Sequence, residues 1–311
     1  MRGIKMTTDG IRVVAPTSEP AEGDIRVRVA ASGICGSDLH MISFGPSGAI
    51  LGHEFSGTLD DGTPVAVLPV VRCGTCDRCL AGAEQQCRNA IAAMYGVSLD
   101  GGLADEAWVN PVCATPLPDG VALEHANLVE PLAVALHGIN RADVVAGMRV
   151  LVLGAGPIGL CTVAGARHLG ADVDLEGHRP NRVAAADRLG ASIATGADYD
   201  VVLDAAGTQS SLDRAIELTR PGGTISILGT YWRPVELGLA VQMKELTLLP
   251  SFTYGHHHGM DEFAEAARIL RSVPDLADAL NTHHFALDDA AEAFRVAGDP
   301  SEGPIKVVVH P

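Results

Sequence analysis

Val150-Leu151-Val152-Leu153-Gly154-Ala155-Gly156-Pro157-Ile158-Gly159 is the stretch on which the fold turns. Its first four residues are uninterrupted apolar side chains, the pattern of a strand buried on both faces in a parallel sheet. The next six read G-x-G-x-x-G, with Pro157 where a helix would begin. Strand, glycine turn and helix start together make a phosphate cradle. Gly154 makes the turn, Gly156 lets a pyrophosphate approach the backbone, and Gly159 packs helix on strand. Free N–H groups and the helix dipole at Pro157 and Ile158 favour the bound anion.

Downstream the pattern continues as alternating strands and helices. Val201-Val202-Leu203-Asp204 and Thr224-Ile225-Ser226-Ile227-Leu228 read as buried strands. Apolar residues at helical spacing (Phe263, Ala266, Ala267, Leu270) mark a helix over 261–272. Between Ala194 and Val201 only the six residues 195–200 intervene. A parallel crossover ordinarily takes a dozen residues or more and carries a helix. The third strand is therefore expected to be either vestigial or followed by a crossover whose helix is shortened or missing. Asp174, in a stretch that should be an apolar strand, has no account at this level. Upstream of Pro131 the chain reads as short strands and glycine-rich turns. Ile25-Arg26-Val27-Arg28-Val29 alternates with period two, and Asp61-Gly62 marks a tight hairpin within 58–65.

Two sets of metal-ligating side chains lie in that upstream part. Cys73, Cys76, Cys79 and Cys87 follow C-x2-C-x2-C-x7-C, close enough for one loop to wrap a tetrahedral zinc. Such a four-thiolate site is closed and structural. Cys35, His53 and Glu130, with Glu54 beside the histidine, form a mixed set suited to a catalytic zinc that keeps an open position. Two zinc ions per chain are expected. The remaining cysteines, Cys113 and Cys161, are expected to be buried free thiols.

The chain has 311 residues, enough for two domains with their own cores. Its formal charge is 22 minus 38, or −16, with no basic stretch, which argues against nucleic acid or an anionic membrane as partner. Metal-binding rather than paired cysteines suit a reducing compartment. Met1-Arg2-Gly3-Ile4-Lys5 does not open a long apolar core. A cytoplasmic protein is expected.

The chain resembles the zinc-containing medium-chain alcohol and polyol dehydrogenases over about 25–309, with the family's motifs in the family's order. These are Cys35-Gly36-Ser37-Asp38-Leu39-His40, Gly52-His53-Glu54-Phe55-Ser56-Gly57, the four-cysteine lobe, Glu130-Pro131 and the glycine fingerprint. Glu130 stands where the alcohol dehydrogenases with a Cys2His zinc place a second cysteine, as in the sorbitol and secondary-alcohol branches. The resemblance implies an α/β protein: a GroES-like, β-rich catalytic domain (1–132 and 271–311, with the zinc lobe at 73–87) and a doubly wound Rossmann domain (133–270). It implies hydride transfer between an alcohol or polyol, or the corresponding ketone or aldehyde, and a nicotinamide cofactor. It assigns Ser37 to the substrate oxygen and a proton path from Ser37 toward His40. It implies a homodimer or homotetramer, with the dimer edge near 246–254, and a substrate pocket lined by 41–46 and Tyr95. Ser37 and His40 also read as an ordinary helix start, with Ser37 as N-cap.

Cofactor choice depends on the end of the second Rossmann strand. Aligning Gly170-Ala171 and Arg182 with the family pattern puts Gly177, then His178 and Arg179, where an NAD-dependent enzyme carries its ribose-binding acid. Glycine makes room for a 2′-phosphate and Arg179 can bind it, so NADP(H) is expected. The competing reading takes Glu176 as the ribose acid and NAD(H) as cofactor. Lys306 reads either as a contact to the cofactor pyrophosphate or as a surface lysine. Two other classes stay open: a zinc-free quinone or enoyl reductase, against which the metal ligands speak, and a non-catalytic crystallin-like protein.

Overall fold

The computed structural model describes residues 2–16 and 19–311. It divides into two compact units, 1–130 with 258–271 and 281–311, and 131–257 with 272–280. The first division falls beside the expected one. The helix Glu262–Ser272 was expected with the cofactor domain, but its residues up to Arg271 group with the first unit. Helical spacing identifies the face it buries, Phe263, Ala266, Ala267 and Leu270, but not which core receives that face.

The first unit is built on a seven-stranded sheet. Ile25–Gly33 is its hub, because its alternating residues Val27, Val29 and Ala31 are buried. It pairs antiparallel with Glu54–Leu59, Glu106–Val109 and Lys306–His310. The C-terminal strand therefore returns to the sheet on which the first ligand motif ends. Glu54–Leu59 turns into Pro64–Val67 through Gly62, whose φ of +88° suits glycine alone, and Asp61 accepts a hydrogen bond from the Thr63 N–H. Ile4, Ile34, Leu51, Leu103, Phe294 and Val307 share one apolar core.

The second unit carries six parallel strands: β1 (Arg149–Leu153), β2 (Asp172–Glu176), β3 (Ser192–Ile193), β4 (Tyr199–Asp204), β5 (Thr219–Ile227) and β6 (Thr247–Pro250). Their order is β3-β2-β1-β4-β5-β6, the doubly wound arrangement with its switch between β1 and β4. Helix α1 (Pro157–His168) joins β1 to β2, α2 (Pro180–Arg188) joins β2 to β3, and α3 (Gln209–Leu218) joins β4 to β5. Leu151, Leu153, Val202, Leu212, Ile216 and Ile225 form the core under α3. Lys244 Nζ donates to the carbonyls of Ile216, Glu217 and Thr219 at 2.7–2.8 Å, closing the C-terminal end of α3.

No helix follows β3: residues 194–198 are irregular. The pairing registers put Ile193 level with Leu175, Val152 and Leu203. The chain must then cross three strand spacings, about 14 Å, and descend to Tyr199, about 13 Å along β4. That diagonal is about 19–20 Å. Six residue steps at full extension span about 20–22 Å. The connection is a taut strap with no slack for a helical turn.

The missing helix explains Asp174. Val173 and Leu175 of β2 are buried, and the alternate residues Asp172, Asp174 and Glu176 face the other side of the sheet. With no helix to cover that side, polar residues stand there and other side chains reach across. Tyr199 Oη donates to Asp174 Oδ2 at 2.6 Å, and Arg149 stacks over the Tyr199 ring at 5.0 Å. No helix among the described residues is long and apolar enough to cross a membrane.

Candidate metal and cofactor sites

Cys35 sits at the turn from Ile25–Gly33 into the helix Gly36–Ile42 and is the N-cap of that helix. Asp38, at its third position, is fully buried and accepts the Cys35 N–H on Oδ2 at 2.9 Å. The N-cap is thus Cys35 and not Ser37. Ser37 instead places Oγ 3.2 Å from Nε2 of His53. His40, one turn on, is exposed. His53 follows Gly52, whose φ is +95° and where a Cβ would come within 2.6 Å of the Leu103 nitrogen. Its Nδ1 lies 3.5 Å from Asp38 Oδ1.

The donor atoms of Cys35, His53 and Glu54 all lie within 4.8 Å of one another. Glu130 is buried outside that trio, and its charge acts on His53. Burial works against a charged imidazole, yet Asp38, Cys35 and Glu130 raise the His53 pKa well above its usual value. The pocket thus has an excess of negative groups around one imidazole. Thiolate, imidazole and carboxylate at chelating distance fit a zinc ion in donor chemistry and in charge.

Glu54 is not a free ligand. Lys306 Nζ donates to its two oxygens at 2.7 and 2.6 Å and to the Ile34 carbonyl at 3.3 Å. Gly33 makes this fit, since a Cβ there would run into Glu54 Oε2. Lys306 is 2% exposed. It is therefore not a surface lysine, and its donors are spent inside the first unit rather than on a cofactor pyrophosphate. The sequence carries no signal for this pairing, because 252 residues separate the partners.

In the four-cysteine lobe all four sulfurs lie within 4.8 Å of one another, with Cys73 Sγ and Cys79 Sγ 3.9 Å apart. The Cys73 and Cys76 N–H groups donate to Cys87 Sγ and Cys73 Sγ, each at 3.4 Å. Gly74 supplies the turn with φ of +68°. Backbone N–H bonds from Thr75 and Cys76 lower Cys73 to about 6. Burial raises Cys79 to about 12, so four thiolates need a cation between them. Cys113 and Cys161 are buried thiols outside any disulfide. Tyr95 is 4% exposed and accepts the Asn110 N–H at 2.8 Å, so it is a core residue and not the pocket lining expected of it.

The glycine fingerprint of the second unit divides its labour as its sequence suggests. Gly154 has φ of +98°, and its N–H donates to the Glu176 carbonyl at 2.9 Å. A Cβ on Gly159 would collide with the Gly154 carbonyl. Gly156 differs: its Cβ would meet no protein atom nearer than Arg182 Nη1 at 4.0 Å. Glycine at 156 preserves open space beside the start of α1, which fits a pyrophosphate lying against the turn. Gly177 is required by packing, because a Cβ would lie 2.8 Å from that of Ala155. His178 is exposed and Arg179, the N-cap of α2, is partly buried. The Arg179 guanidinium makes no ion pair among the described residues. Arg182, missed from sequence as a candidate of its own, is held below the usual arginine value by burial and by the charge of Arg179.

Known families and structures carry the same architecture. The Alcohol dehydrogenase GroES-like domain matches residues 21–119, and the Zinc-binding dehydrogenase domain matches 157–272. The chain is 30% identical to the L-arabinitol 4-dehydrogenase of Aureobasidium melanogenum, over 93% of this chain and 88% of that protein. It is similar to the crystal structure of a putative zinc-binding dehydrogenase of Sinorhizobium meliloti 1021 bound to NADP. That similarity has a TM-score of 0.88 and 29% identity, covering 100% of this chain and 99% of that one. An alcohol dehydrogenase of E. coli CFT073 complexed with NADH gives a TM-score of 0.88 and 28% identity, with coverage of 100% and 99%.

Proposed function

Because the chain belongs to the zinc-dependent medium-chain alcohol and polyol dehydrogenase family, we propose that it oxidises a polyol or secondary alcohol, or reduces the matching ketone, with NADP(H). The observation that carries the reading is the close set of partly buried Cys35 with buried His53 and Glu54, and Ser37 against the imidazole. A closed four-thiolate lobe alone would fit a structural protein as well.

Cys35 and His53 would hold the catalytic zinc, with Glu130 or Glu54 as the carboxylate. A zinc so held supplies Lewis acidity toward a substrate oxygen, and the nicotinamide carries the hydride. Ser37, whose hydroxyl can both donate and accept, is placed to take the proton of a substrate hydroxyl. Asp38 orients His53 from the far side of the ring, the usual role of a carboxylate behind a metal-bound imidazole. Arg179 and Arg182 offer two cations beside the glycine turn, which supports a 2′-phosphorylated cofactor over NAD(H).

Metal analysis of the purified protein is expected to find two zinc ions per chain. A polyol and alcohol screen, read at the reduced-nicotinamide absorbance, is expected to show turnover with NADP(H). His53→Ala should lose more than about a hundredfold in turnover, since even partners behind a metal ligand are worth 10- to 100-fold. Arg179→Ala should raise the KM for NADP(H) about ten- to a hundredfold and leave that for NAD(H) unchanged. Full turnover by His53→Ala, or one zinc or none in folded protein, would sink the reading.

A further inference from the structure

The strap that replaces the helix after β3 leaves the outer face of β2 open, and α3 reaches over it. Arg214 of α3 donates Nε to both oxygens of Glu176, at 3.2 and 3.0 Å, while its Nη1 donates to Glu217 at 2.8 Å. Glu176 is the last residue of β2, and its carbonyl receives the Gly154 N–H. An acid at this strand end is the group that, in an NAD site, accepts a hydrogen bond from the ribose hydroxyl and repels a 2′-phosphate. Here the acid is present but committed elsewhere. Its side chain is about one-third exposed, as is that of Arg214.

We propose that Arg214 is a specificity-determining positioning residue: by holding Glu176 and offsetting its charge it lets an enzyme with an acid at the end of β2 accept NADP(H). The inference rests on the NADP(H) reading above and gives it a second requirement. Arg179 and Arg182 attract the phosphate, and Arg214 keeps Glu176 from opposing them. Gly177 cannot take over the selection by mutation, since any side chain there meets Ala155. The switch lies one residue earlier, in the pairing of Glu176.

Equilibrium binding of NADPH and NADH, followed by the fluorescence of the reduced nicotinamide, tests this without turnover. Arg214→Ala is expected to weaken NADPH about tenfold, the size of one added charge at a partly screened site, and to leave NADH unchanged or tighter. Glu176→Gln in the same chain should restore NADPH binding to within about twofold of wild type. Arg214→Lys, which keeps the charge, should retain most of the preference. If Arg214→Ala weakens both nucleotides alike, the residue is merely structural and the proposal fails. If Arg214→Ala/Glu176→Gln stays as weak for NADPH as Arg214→Ala, Arg214 binds the phosphate directly and the proposal also fails. A wild-type preference for NADH would instead overturn the cofactor reading. The Arg214 proposal would still be judged on whether the NADPH-to-NADH affinity ratio moves in Arg214→Ala and returns in the double variant.

Discussion

Lys306 and Glu54 show how one residue's environment can reverse its reading. Each side chain is 1% exposed and each carries a formal charge, so each is tolerable only with the other in place. Lys306→Met would strand a carboxylate in a dry interior. It is expected to cost about 3–5 kcal/mol, read as a lower urea midpoint in the metal-loaded protein. Adding Glu54→Gln to Lys306→Met should recover most of that loss, because an amide is far cheaper to bury than an unpaired charge. An unchanged midpoint in Lys306→Met would mean that Glu54 does not carry a buried charge. The pairing also bears on the metal: a carboxylate gripped by an ammonium through both oxygens has fewer lone pairs to offer a cation.

Among the elements, the cysteine lobe and the strap after β3 were both anticipated from spacing, and for the same reason. Each depends on residues close together in sequence, 14 positions apart at most in the lobe, so chain length alone limits what they can form. In the lobe, one helix of four residues (Asp77–Leu80) and one 3-10 turn (Glu84–Gln86) bring the sulfurs together, with little apolar burial to hold them. The lobe's order is therefore expected to come from its metal. Cys76→Ser should release one zinc per chain and lower the thermal midpoint by roughly 4–8 °C, about 2 kcal/mol for a domain of this size. The folded remainder should still turn over. A Cys76→Ser protein with two zinc ions and an unshifted midpoint would show that the four thiols are not a ligand set.

For the molecule as a whole, β6 is the open end of the six-stranded sheet. Near it in sequence stand Leu237, Leu239, Met243 and Phe252, each more than half exposed. An exposed edge strand flanked by apolar side chains is an association hazard unless it is covered. A second copy of the same edge would cover it with two-fold symmetry. The protein is expected to sediment as a dimer or tetramer, and Met243→Glu with Phe252→Glu should lower the assembly state without unfolding the chain. A wild-type monomer at micromolar concentration would remove this expectation.

The glycine turn after β1, the gathering of four cysteine sulfurs and the missing crossover helix were legible in the chain because each is written in near neighbours. Positive-φ glycines, chelating spacings and the reach of a six-residue strap are set by local geometry, and no distant partner can change them. The ligand motifs around Cys35 and His53 were legible as chemistry, though not as a finished centre. What stayed hidden depends on groups far apart in sequence: Lys306 finding Glu54, Arg214 finding Glu176, Tyr199 finding Asp174, and Tyr95 turning into the core. The helix Glu262–Ser272 shows the same limit, since its buried stripe was plain and its destination was not. A side chain's type limits what it can pair with. Which partner it meets is decided when the sheet and helices pack, and buried charge makes the choice nearly absolute, because an ion taken out of water must find its counterpart there.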